Sequence, residues 1–126
     1  LMNNKTGASN TATGKEALFT NTMGSRNTAD GESALFKNST GTDNAAMGYK
    51  ALNQNTIGAH NTAIGSEALK DNSEGVSNTA TGYRALFKNA TVDSNTGIGF
   101  QALYNITGDF NSGVCSGVLY TTTSGS

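Results

Sequence analysis

The chain has 126 residues, enough for one ordinary domain, with 8 Lys plus Arg against 9 Asp plus Glu and a net charge of -1. That balance excludes a basic face for nucleic acid, where affinity rests largely on neutralised phosphates, and no apolar run reaches the roughly 18 residues of a membrane-spanning helix. Only 35% of residues are hydrophobic, and Pro and Trp are absent, a composition that would permit disorder were the sequence not strictly periodic.

Leu1-Met2-Asn3-Asn4-Lys5 lacks the basic start and apolar stretch of a signal peptide. Asn4-Lys5-Thr6-Gly7 matches the second half of a unit that first appears whole at Asn10. The chain therefore reads as a single repeat domain, residues 1–126, belonging to a longer fibrous protein. Units begin at Asn10, Asn27, Asn44, Asn61, Asn78 and Asn95, 17 residues apart, with a seventh at Asn111, one residue early.

With the first Asn as position 0, position 2 is Ala12, Ala29, Ala46, Ala63 and Ala80, then Gly97 and Gly113. Position 4 is Gly14, Gly31, Gly48, Gly65, Gly82 and Gly99, with Cys115 in the seventh unit. Position 7 is Ala from Ala17 to Ala102, and position 8 is always Leu: Leu18, Leu35, Leu52, Leu69, Leu86, Leu103 and Leu119. Position 11 is a second Asn, with Asn105 one place early, and position 14 a second Gly, replaced by Val92 in the fifth unit.

A unit of 17 residues is too short for a helix pair and has too few Leu for a leucine-rich repeat. It fits one coil of an all-β solenoid, with two short strands and two Gly-marked turns per coil. In Asn-Thr-Ala-x-Gly the side chains alternate faces, as a strand requires. Leu at position 8 is the expected core filler. Gly at positions 4 and 14 reads as two corners needing backbone conformations that other residues resist. The position 0 column (Asn27, Asn44, Asn61, Asn78, Asn95) and the position 11 column are expected to stack as amide ladders along the axis.

Two columns vary. Position 3 runs Thr13, Asp30, Met47, Ile64, Thr81, Ile98, Val114, growing apolar toward the C-terminus. Position 9 carries Phe19, Phe36, Phe87, Tyr104 and Tyr120, interrupted by Asn53 and Lys70; Phe36 and Phe87 are its candidate surface contacts. No catalytic, cofactor or metal constellation stands out. His60 is the single histidine, in an expected turn, and one His cannot assemble a zinc set. Cys115, the lone cysteine, has no local base and reads as a small buried residue. Four Asn-x-Ser/Thr sequons, at Asn4, Asn38, Asn89 and Asn105, read as by-products of the Asn/Thr-rich repeat.

Asn61-Thr62-Ala63-Ile64-Gly65 and Asn95-Thr96-Gly97-Ile98-Gly99, with weaker copies elsewhere, resemble the head repeats of YadA-like trimeric autotransporter adhesins. The Asn-Thr-Ala-x-Gly-x-x-Ala-Leu form also resembles repeats of phage tail fibres. The resemblance implies a left-handed parallel β-roll of about seven coils, assembled as a parallel homotrimer. It also implies an extracellular place, on an outer-membrane-anchored surface fibre or a virion tail fibre. The unit here is longer than the adhesin heads typically use, so the coil should be wider or carry a longer turn.

The function expected is structural and adhesive: a non-enzymatic head or shaft that binds a host surface protein or glycan multivalently, with no cofactor and no membrane contact in this segment. The rival reading is an ice-binding solenoid using the Thr column at position 1 (Thr11, Thr28, Thr62, Thr79, Thr96), which Ala45 breaks.

Overall fold

The computed structural model describes residues 1–114, 116–117 and 121–122. Its strands are β1 (Thr11–Thr13), β2 (Thr28–Asp30), β3 (Ala45–Met47), β4 (Thr62–Ile64), β5 (Thr79–Thr81), β6 (Thr96–Ile98), β7 (Asn105–Ile106), β8 (Ser112–Val114) and β9 (Thr121–Thr122). β1 to β6 and β8 form one seven-stranded sheet, and β7 pairs with β9. Every pairing is parallel and joins equivalent positions, as in Ala46↔Ala63 and Ala63↔Ala80. The described residues contain no helix. The fold is an all-β solenoid of about six turns.

Each 17-residue coil contributes one strand to the main sheet, where two strands per coil were expected. The reason lies in the backbone of the other side. Positions 6, 8 and 16 are left-handed in successive coils, as in Glu67 (φ 58), Leu69 (φ 49) and Ser77 (φ 59). A left-handed residue breaks extension, so among the described residues strands on that side are confined to the two-residue β7 and β9. The coils still bond to one another: Leu52 N–H donates to Ala68 O at 3.0 Å and Gln54 N–H to Lys70 O at 3.0 Å. Backbone groups that are not in strands are thus satisfied between coils, as a buried backbone must be.

The two glycine columns do different work. Gly31 at position 4 has φ 139, and a Cβ there would lie 2.5 Å from Gly48 O. Both conformation and space require glycine. At position 14 the expected reason for glycine is corrected: Gly41 has no positive φ, and glycine is needed because a Cβ would overlap Gly58 O and Asn38 Oδ1. Successive coils approach closely there.

The core is half apolar and half amide. Leu18, Leu35, Leu52, Leu69, Leu86 and Leu103 are wholly buried, with Ala at positions 2 and 7 packed beside them; Leu119 and Cys115 lie outside the described residues. Facing them stand two columns of buried Asn. Asn44 sends its backbone N–H and its Nδ2 to Asn27 Oδ1 at 3.0 and 3.1 Å. Asn38 Nδ2 donates to Asn21 Oδ1 at 2.7 Å, and Asn72 Nδ2 to Asn55 Oδ1 at 2.9 Å. The position 14 carbonyl joins the columns, since Gly41 O accepts from both Asn27 and Asn38. An unpaired buried amide would be costly, and this lattice leaves these amides paired.

The last complete coil departs from the rule. Position 11 there is Ile106, buried at 2% exposure, while Asn105 sits half-buried beside it in β7. The second amide ladder therefore ends at Asn89, whereas the first continues, Asn111 N–H donating to Asn95 Oδ1 at 2.8 Å.

Candidate functional site

With the interior filled, any recognition must use the outer columns. There is no cavity among the described residues, and no group of three or more His, Cys, Asp or Glu placed to hold a metal. Along each strand of the main sheet the middle residue points in and its neighbours point out, as the pleat dictates. β4 shows it: Thr62 half-buried, Ala63 buried, Ile64 exposed.

Position 3 is therefore an outward column, with Met47, Ile64, Ile98 and Val114 exposed and the half-buried Thr81 between Ile64 and Ile98. Two residues on, across the position 4 glycine, lies a second exposed column with Tyr49, Tyr83 and Phe100. This aromatic column was not legible from residue type, because Lys15, Glu32 and Ser66 interrupt it. Tyr83 and Phe100 stack at 5.4 Å. Lys50 lies 5.0 Å from the Tyr49 ring centre and Arg84 5.0 Å from that of Tyr83.

The aromatics singled out by sequence lie elsewhere. Phe36 is half-buried and stacks on Phe19 at 5.4 Å. Phe87 is only 8% exposed, stacked on Tyr104 at 5.1 Å with Lys70 over its ring at 5.0 Å. Its place as a surface contact is corrected: the neighbouring coils use its faces. Stacked rings of this kind spend on each other the open faces that a sugar ring would need.

Charges pair between coils. Glu67 is bound by Arg84 from the following coil and by Lys70 at 3.6 Å. Burial pushes its carboxyl up, but Arg84 and Lys70 outweigh this and hold it below its ordinary value. Arg26 clasps both oxygens of Asp43, at 2.6 and 2.8 Å. That hydrogen bonding draws the Asp43 carboxyl down and the Arg26 guanidinium up.

Position 16 stacks Asp43, His60 and Ser77 on successive coils, the residue types of a hydrolase triad. The chemistry is not assembled, for a triad needs the base bonded to both partners. Asp43 is committed to Arg26, and no hydrogen bond links the three side chains among the described residues. His60 occupies an exposed left-handed turn at φ 57.

The sequons divide by burial. Asn38 and Asn89 are fully buried with Nδ2 donated to the ladder, so that nitrogen is closed to glycan attachment in the folded chain. Asn4 is exposed and Asn105 half-buried. Comparison with protein-family models, with curated proteins and with solved structures finds no match to this chain.

Proposed function

We propose that this chain is a non-enzymatic structural and adhesive segment, the head or shaft of a homotrimeric fibre on a cell surface or a virion tail. The observation that carries this reading is the unbroken stack: each coil bonds to the next through backbone, amide ladder and sheet in one register. Such a stack is a rod of constant section, suited to span distance and to repeat a surface. With no cavity among the described residues, the rod recognises its receptor, a host surface protein or a glycan, through its outer columns. Single contacts of that kind are weak, and three chains in many fibres multiply them. The resemblance of Asn61-Thr62-Ala63-Ile64-Gly65 to adhesin head repeats supports the same reading.

Light scattering on a sizing column tests the assembly. The expected mass is about three times the 12.9 kDa of one chain. A mass of one chain overturns the trimer. Beads coated with the protein should then adhere to glycan or matrix-protein surfaces that do not retain the soluble protein, and failure on every surface overturns the adhesive part.

One observation favours a second reading. Position 1 threonines flank the inward residue of a regular sheet, Thr11 and Thr28 exposed and Thr62, Thr79 and Thr96 half-buried, a spaced Thr column of the kind an ice-binding face uses. Thermal hysteresis in a monomeric sample would establish it.

A further inference from the structure

Resting on the fibre reading, we infer that the paired columns at positions 3 and 5, from the third coil onward, are the face on which a second copy of this chain docks. Met47, Tyr49, Ile64, Tyr83, Ile98 and Phe100 are each between 39% and 53% exposed. Together they leave on the order of 500 Å² of apolar surface in water, the upper part of the range for the largest patch on a monomer. A standard stable interface buries about 800 Å² per partner, so this strip with its polar margins is of the size a stable contact needs.

The repeat selects the occupant. The columns present one row per coil, at a strand spacing of about 4.8 Å. A second copy carries the same spacing, so every row finds a row. A globular partner has no such series of side chains to offer. The strip also has a defined beginning. In the first two coils the same positions hold Thr13, Lys15, Asp30 and Glu32, and the three charged groups among them resist burial without partners. Contact therefore starts at Met47.

Another apolar side chain provides the control. Ile57 is 53% exposed at position 13, on a different part of the coil. The experiment compares the wild-type chain, the double variant Ile64→Lys/Ile98→Lys and the single variant Ile57→Lys by light scattering, with circular dichroism to follow the fold. The expected result is an assembled wild type, an assembled Ile57→Lys and a double variant reduced to the mass of one chain with its spectrum kept. An assembled wild type whose double variant stays assembled overturns the face and leaves the fibre reading standing. A monomeric wild type overturns both. Should the double variant lose its fold, Ile64→Cys is compared with Ile57→Cys, each in a Cys115→Ser background. Oxidative cross-linking between chains at position 64 and not at 57 sustains the face, and the reverse overturns it.

Discussion

Asn55 donates its side-chain amide to Asn38 Oδ1, one coil earlier, at 2.8 Å, and both residues are completely buried. The same nitrogen donates to Gly58 O at 2.9 Å, and Asn55 Oδ1 accepts from Asn72. A polar core of this kind is stable only while each member has its partners. Asn55→Ala leaves Asn38 Oδ1 and one Asn72 hydrogen without partners, at a cost of about 1–3 kcal/mol for each orphaned group. Denaturant titration should show a clearly lowered midpoint. An unchanged midpoint would mean that the ladder adds no stability.

The apolar half answers to a different substitution. Leu69 is wholly buried between Leu52 and Leu86 in the same column. Leu69→Ala should cost about 2–5 kcal/mol, the range for deleting a buried Leu side chain. Leu69→Asp places a carboxylate with no cation in that column and should abolish folding. Circular dichroism reads both, and a folded Leu69→Asp chain would refute the core assignment.

Ser77 tests the turns. Its φ of 59 lies in the left-handed region, and its side chain is exposed. That conformation costs an ordinary residue roughly 1–2 kcal/mol and is least unfavourable for Asn and Asp beyond glycine. Ser77→Asn should therefore raise the melting temperature and Ser77→Val lower it. The opposite order would show that the turn is not held in this conformation.

The solenoid was legible because its causes are periodic. Leu at position 8 and Asn at position 0 recur at each coil, and Asn at position 11 in the first five, and only stacking puts equivalent residues against each other. The number of strands was not legible, because Leu69 and its equivalents adopt left-handed conformations that no propensity assigns to Leu. The role of Gly41 was misread for a related reason: a glycine forced by a neighbouring carbonyl looks the same in sequence as one forced by φ. The position 3 half of the exposed strip was legible, while the position 5 half stayed hidden because Lys15 and Glu32 precede Tyr49 and Ser66 separates it from Tyr83 and Phe100. Phe87 drew attention by its type, while its burial depends on Tyr104, 17 residues away.

Acid should loosen the rod through Glu67. Its side chain is 12% exposed, between Arg84 and Lys70, and its folded pKa lies below the ordinary value. A carboxyl depressed in the folded state contributes its full stability above the unfolded value, about 4.3 for Glu, and loses it as pH falls through the folded value. The wild-type melting temperature should thus decline as pH drops below about 4.3. Glu67→Gln cannot ionise, so it should melt lower at neutral pH and change less across that acid window. Asp43, whose carboxyl Arg26 also draws down, acts with the same sign from a more solvated pair, so Asp43→Asn should flatten the profile less than Glu67→Gln does. Parallel acid profiles for wild type and Glu67→Gln would show that the Arg84 contact does not couple protonation to folding.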